Sequence, residues 1–435
     1  MKMTKILNFL LKSFLFLLPW QTIWLYREVF INGAKWQYGT LGFYVTEILL
    51  WLIIVLFMIW YWRQRKDKQE VKKEKFKFTN DRIFVLSCFV FVVYSSLSVF
   101  WSLDKSVALQ QSLYIMEMFL LFFVIYLGPL KYKEILRWLL LGSILPILLG
   151  FFQFIFQATF ASKYFGLTLH LAWEAGSSIV SGEAGRFLRA YGPVAHPNIF
   201  GGYLLLVLFS AILFFSNKEK IKIINYFFLG LIILSLFFTF SRSALLAGLS
   251  LVIFFIFYAF SQKKKNLKHL TIFSLLIFVV FFISLWPVFQ TRVLINSANE
   301  MESVVERADS AVEALEIWQN NKWFGVGVGN YTVVLTHKYS NLSGWQYQPV
   351  HNTFLLILVE LGLVGLSLSF LVGIMFLYFI YSKAKSRLFW LVLLSAPLLF
   401  IMLFDHYLYS FYVGLAIFGL YLAILTRSLP FNIHK

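Results

Sequence analysis

The sequence predicts an all-α membrane protein with many spans, and three observations carry that prediction. The chain of 435 residues is 60% hydrophobic and only 13% charged, where soluble domains carry roughly 25% charged residues. Its apolar residues fall in runs long enough to cross a bilayer, which takes about 20 residues in a helix. Its basic residues, which give a net charge of +18, gather between those runs on alternating sides. A lone cysteine, Cys88, sits inside an apolar run and offers no internal disulfide.

Taken in order, about twelve spans are expected: 6–26, 41–62, 83–101, 108–129, 138–157, 198–216, 223–240, 243–260, 270–286, 351–381, 388–404 and 408–427. All should be helical, because lipid offers no partner to an exposed backbone amide. Lys2 and Lys5 precede the first run as in a signal peptide, but Pro19-Trp20-Gln21 follows in place of a small-residue cleavage site. The first run therefore reads as a retained span.

With the N-terminus inside, each short inner loop is basic. Arg63 to Arg82, Lys131 to Arg137, Lys218 to Lys222, Lys263 to Lys268 and Lys383 to Arg387 are the examples. The positive charge is a topology signal, so nucleic acid is not an expected partner. Both termini come out cytoplasmic. The organisation expected is a membrane domain over 1–286 with an outer loop at 158–197, a large extracytoplasmic loop over 287–350, and a second membrane segment over 351–435.

Within the large loop, Val304, Val305, Ala308, Val312, Leu315 and Trp318 recur at helical spacing among Glu and Arg. That pattern predicts an amphipathic helix lying over the membrane domain or in its interface. Phe324-Gly-Val-Gly-Val-Gly-Asn-Tyr331 follows. Without a preceding strand it is not a dinucleotide loop. It reads as a tight turn whose open amides could approach a ligand closely.

Four features at the outer face could carry chemistry. Arg186 and Arg189 precede Gly192 and His196-Pro197-Asn198; this is either a flexible interfacial loop or an anion site, since a guanidinium matches phosphate geometry and keeps its charge. Arg242, in Thr239-Phe-Ser-Arg-Ser243, sits at the tip of a helical hairpin. It either snorkels to headgroups or faces an anion in a wet cavity. His351-Asn352 opens a span; asparagine is a favoured helix cap, and His351 could equally be a general base. Asp405-His406 separates the last two spans, either as a polar turn or as a group that orients a base or binds sugar hydroxyls. Glu360 and Glu117 lie inside spans and must face protein. Glu360 is about 13 Å along a helix from His351, too deep to touch the imidazole. No zinc-type spacing, HExxH or Asp-x-Asp pair appears, so no metal and no cofactor are expected.

These residues carry a family resemblance. His351-Asn352 followed by Gly362 and Gly365, upstream Arg189-x-x-Gly192 with His196-Pro197-Asn198, the Ser241-Arg242 pair, and the Trp318 to Tyr331 segment resemble the superfamily of O-antigen ligases, Wzy-type O-antigen polymerases and bacterial O-oligosaccharyltransferases. The resemblance implies a glycosyltransferase of the GT-C-like membrane fold in the bacterial cytoplasmic membrane, with its active site on the extracytoplasmic face. The donor implied is a glycan on undecaprenyl pyrophosphate, and the acceptor a glycan, lipid A core or protein hydroxyl. His351 matches the implied base. Arg189 and Arg242 match the implied pyrophosphate-binding arginines, with Arg186 a substitute for Arg189. Asn352, His196 and Asp405 complete the expected substrate contacts. A transporter or flippase is the competing reading from another class. Such proteins usually show paired halves, which the sequence does not display.

Overall fold

The computed structural model describes residues 2–69, 80–174, 176–182, 185–294, 298–383 and 388–428. Much of the basic segment 63–82, residues 384–387 of another loop expected on the same side, and Lys435 lie outside the described residues. The helices are α1 (Lys2–Leu17), α2 (Val45–Gln69), α3 (Asn80–Leu97), α4 (Lys105–Leu127), α5 (Tyr132–Phe156), α6 (Pro197–Ser216), α7 (Ile223–Phe238), α8 (Arg242–Ser261), α9 (Lys265–Ser284), α10 (Trp286–Leu294), α11 (Ala298–Asn320), α12 (Tyr331–Lys338), α13 (Thr353–Lys383), α14 (Leu388–Phe404), α15 (Tyr407–Ser410) and α16 (Tyr412–Ser428).

Among the described residues, eight of these helices are long and apolar enough to cross a membrane. Three shorter apolar ones, α7, α14 and α16, accompany them. The expected spans and the observed helices agree to within about six residues from α3 onwards, save that the last, expected over 408–427, is broken at Phe411 into α15 and α16. The first span does not. Expected over 6–26, its helix ends at Leu17, and Ile23–Arg27 forms strand β1. Pro19 cannot continue a helix. The run of apolar residues after it, Ile23 to Tyr26, pairs antiparallel with Leu41–Tyr44 (β4), Ile23 opposite Tyr44. The second span accordingly begins at Val45. Phe30–Ile31 (β2) and Ala34–Lys35 (β3) form a small hairpin between them. Ile179–Gly182 (β5) pairs with Gly185–Leu188 (β6) within the loop preceding α6. Short strands of this kind lack the length of a span and are invisible to hydropathy.

α6 is the central helix, buried over most of its length, with Phe200, Tyr203 to Phe209 and Ile212 in the core. Glu117 and Glu360 are both buried, as their positions inside spans require. At one end of the bundle the loops meet. Thr22 donates to the Tyr164 carbonyl at 2.6 Å, Arg27 pairs with Asp104 at 2.6 Å, and Asn32 donates to the Leu342 carbonyl at 2.8 Å. The Asp104 amide donates to Asn330 at 2.7 Å, and Asn352 donates to the Leu403 carbonyl at 3.1 Å. The segments that basic-residue counting assigns to one face thus form one layer.

The glycine run lies within this layer, and its role differs from the expected one. α13 is broken at Gly362 (φ 67°, ψ −170°). A break in a buried helix strands backbone groups that need partners. The segment 322–329 supplies them. Val326 donates to the Val359 carbonyl at 3.0 Å, Gly327 to the Glu360 carbonyl at 2.8 Å, and Leu363 donates back to the Lys322 carbonyl at 2.9 Å. The Gly329 amide donates to the Glu360 carboxylate at 2.8 Å. The amides are spent on the helix, not left open for a ligand. The glycines are needed because the two backbones touch: a Cβ at Gly325 would lie 2.4 Å from Glu360 carbonyl atoms, and one at Gly362 would lie 2.2 Å from the Trp323 oxygen.

The amphipathic helix is present as α11, but a different stripe packs. Ala314 and Ile317 are buried, with Ala311 and Trp318 beside them. Val304, Val305, Val312 and Leu315 are exposed.

Candidate active site

Two hairpin tips and a loop build the site. Between α7 and α8, Phe240 adopts a positive φ of 47° while fully buried, a conformation that costs free energy in a bulky residue and concentrates at functional sites. The turn places Arg242 at the first position of α8. Ser241 caps that helix, accepting from the Ala244 amide at 3.4 Å. Before α6, His196 accepts from the Asn198 amide at 3.1 Å and so caps the central helix, with Pro197 fitting its first turn.

Arg189 enters from the end of β6 and is buried to 7% exposure. Its Nε donates to the Thr239 carbonyl at 2.7 Å, and its Nη2 donates to Asn198 Oδ1 at 2.5 Å. Asn198 Nδ2 in turn donates to Asp405 Oδ2 at 2.6 Å. Arg189 and Arg242 line one cavity of about 290 Å³ together with Asn198, Ser243 and, from α11, Arg307. Arg307 was not singled out from sequence, where it read as one of many charges on an amphipathic helix. No local signal marks it, because the approach of α11 to α8 alone brings it to the cavity. Three guanidinium groups and the N-terminus of α8 make this an anion-attracting cavity. Arg186 is not part of it; it is exposed on β6, opposite Ser181.

Asp405 connects the arginines to His351. It is 3% exposed and receives the His406 amide at 2.9 Å. Its backbone carbonyl accepts from Thr353 at 2.8 Å, which pins the loop to the start of α13. His351 Nδ1 stands 3.8 Å from Asp405 Oδ1, with the His351 side chain 30% exposed. That separation is longer than a hydrogen bond. His351 Nδ1 has no hydrogen-bond partner among the described residues. The His351 and His406 rings lie 5.3 Å apart.

Burial alone would raise the Asp405 carboxyl, but the imidazoles of His351, His406 and His196 outweigh it and hold the group well below the usual carboxylate range. Burial lowers His406 to about 3, against the pull of Asp405. Burial, then the charge of Arg189, lowers His196 to about 3. Both buried histidines are neutral near pH 7. His196 Nε2 lies 3.0 Å from the Ser178 hydroxyl, and His406 Nδ1 lies 2.6 Å from the Ser410 hydroxyl. Asn352 is engaged at both ends of its amide, capping α13 by accepting from Leu355 at 2.9 Å and donating to Leu403.

The sequence holds no metal-type spacing, yet the fold brings ligand atoms of His351, Asp405 and His406 within 4.8 Å of one another. Two imidazoles and a carboxylate would suit a zinc-like ion, so folding supplies a donor set that spacing could not show.

No curated protein matches the chain. A family match covers the segment from α7 through the break in α13, which includes Arg242, Arg307, the glycine run and His351; Arg189, Asn198 and Asp405 lie outside it. Residues 227–370, about a third of the chain, match the family described as O-antigen ligase, and that match supports a place in the O-antigen ligase/polymerase superfamily.

Proposed function

We propose that this protein moves a glycan from undecaprenyl pyrophosphate to an acceptor hydroxyl at the outer face of the bacterial cytoplasmic membrane, with inversion and without a metal. The observation that carries the reading is the linked chain Arg189–Asn198–Asp405–His351, which joins an arginine cavity to an accessible imidazole. Twelve spans of a GT-C-like fold, with both termini cytoplasmic, complete the proposal.

The steps follow from the residues. The pyrophosphate occupies the cavity of Arg189, Arg242 and Arg307, whose charges stabilise the leaving group as the anomeric C–O bond breaks and its electron pair passes to the phosphate oxygen. The acceptor hydroxyl attacks the anomeric carbon from the other side. Its proton passes to His351. Because Nδ1 faces Asp405, that nitrogen carries the resident proton and Nε2 accepts the new one. Asp405 orients the ring and stabilises the imidazolium that forms, as a buried carboxylate does in other histidine-based sites. In this reading Asn352 acts by holding the start of α13 and His196 by capping α6, each beside the substrate, while Arg186 meets the bilayer surface.

Purified protein with lipid-linked glycan and acceptor tests the reading. Transfer should persist in excess chelator and disappear in His351→Ala. Loss of transfer in chelator with rescue by a divalent ion would reassign His351, Asp405 and His406 as metal ligands. Wild-type rates in His351→Ala would remove the base.

A further inference from the structure

A second cavity lies on the other side of the Asp405–His406 loop, reaching His351 through the rings of Tyr38 and His406, and the proposed transfer chemistry does not use it. It measures about 100 Å³ and lies between the hairpin of β1 and β4, the first turns of α4, and α13. Gln37 and Tyr38 stand at its mouth; Gln110, Gln111, Tyr114, Thr332 and Glu360 line its buried part. The loop after α14 runs from one cavity to the other. Phe404 lines the arginine cavity, Tyr409 to Tyr412 line the second, and Asp405 and His406 lie between. Tyr38 reaches back to the histidines, its ring 6.1 Å from that of His406 and 5.6 Å from Phe411.

The lining has one chemical character. It offers tyrosine rings, three primary amides, a carboxylate and hydroxyls, and no lysine or arginine. Such a surface does not suit pyrophosphate. It suits a pyranose ring, whose C–H faces lie on aromatic rings and whose hydroxyls both donate and accept. Thr332 gives an independent indication. It is 2% exposed, lines the cavity, and its Oγ1 has no hydrogen-bond partner among the described residues. A buried hydroxyl without a partner costs free energy that a ligand hydroxyl would recover.

We infer that this cavity is a sugar subsite that holds the acceptor glycan and delivers its nucleophilic hydroxyl to His351. The inference rests on the transfer reaction proposed above. It assigns the β1–β4 hairpin, which carries no family motif, to acceptor choice. The acceptor sits on the aromatic side of the Asp405–His406 loop and the leaving group on the arginine side, so the two substrates approach the imidazole from different directions.

The test uses detergent-solubilised full-length protein and a panel of hexose and N-acetylhexosamine trisaccharides, with binding read by saturation-transfer NMR. Thr332→Val removes a hydroxyl that serves no internal bond, and Tyr38→Leu removes the aromatic ring at the mouth together with its hydrogen bond to Gln348. The expected result is binding of at least one trisaccharide, weakened about threefold or more by Thr332→Val, the value of one neutral hydrogen bond. Tyr38→Leu should weaken it by about tenfold, and inorganic pyrophosphate should not compete. In transfer assays both variants should raise the acceptor KM and leave the donor KM unchanged. Absence of binding, displacement by pyrophosphate, or indifference to both substitutions would overturn the subsite. A rise in donor KM alone would place donor sugars there and overturn the acceptor assignment. Sugar binding that persists while the chain shows no pyrophosphate binding and no transfer would leave the subsite standing and remove the reaction.

Discussion

The imidazole of His351 faces the carboxylate of Asp405 across 3.8 Å, although the two residues flank different helices. The carboxylate is fixed from behind by Asn198 and the His406 amide; the imidazole is reachable from outside. An accessible base with a buried orienting acid is the arrangement that general-base catalysis needs.

Asp405→Asn should therefore lower kcat for transfer by roughly 10²- to 10⁴-fold, the range for loss of general-base assistance. Donor KM should change little, because the carboxylate does not reach the arginine cavity directly. Steady-state kinetics on both substrates check this. A large rise in donor KM at constant kcat would place Asp405 in donor binding instead.

The arginines divide by burial. Arg189 spends hydrogen bonds on Thr239 and Asn198, so Arg189→Ala should destabilise the protein as well as reduce transfer. Arg242→Ala and Arg307→Ala should leave the melting temperature within a few degrees of wild type and weaken pyrophosphate binding by about tenfold or more each. Arg242→Lys should recover part of the loss, since charge returns without the planar fork. Thermal unfolding together with pyrophosphate titration separates the two effects.

Stability should fall on acidification. His196 and His406 are lowered from 6.5 to about 3 in the fold. Between those values the unfolded chain binds protons that the folded chain does not, so stability falls as pH drops from about 6.5 towards 3. Each buried histidine contributes at most about 1.4 kcal/mol per pH unit in that window. Asp405, depressed, adds stability present above the ordinary aspartate range and lost only as pH falls below it. His406→Gln should flatten the dependence of melting temperature on pH between 6.5 and 4.5. An unchanged slope would show that His406 is already charged in the folded state.

Glycine substitutions should separate the helix break from ordinary span positions. Gly362→Ala forces a Cβ against the Trp323 carbonyl at a positive φ, so a loss of about 2 kcal/mol or more, or failure to accumulate, is expected. Gly373→Ala, in the same helix with nothing within 4 Å of the new atom, should be neutral or slightly stabilising. Expression and thermal unfolding of the pair provide the comparison.

What could be read from the sequence follows from what hydropathy and residue chemistry register. Most helices, and the placing of Arg189, Arg242, His351 and Asp405 around one end of the bundle, needed only apolar run lengths and the cost of charge near lipid. The strand Ile23–Arg27 was hidden because four apolar residues after a proline look like the tail of a span until their partner at Leu41–Tyr44 is known. Arg307 was hidden because its neighbours on α11 are also charged, and only the tertiary approach of that helix to α8 selects it. The glycine run misled for a similar reason. Alternating glycines advertise open amides, and nothing local shows that Val359 and Glu360, some thirty residues away, consume them.

The seam between Gly325 and Gly362 has a consequence for engineering and for descent. The long loop before α13 is stitched through its main chain into that helix, so loop and helix form one heritable unit. An exchange of acceptor preference between relatives by grafting the loop alone would leave carbonyls of the recipient helix without donors. A graft that carries residues 321–364 as one cassette would keep the seam closed.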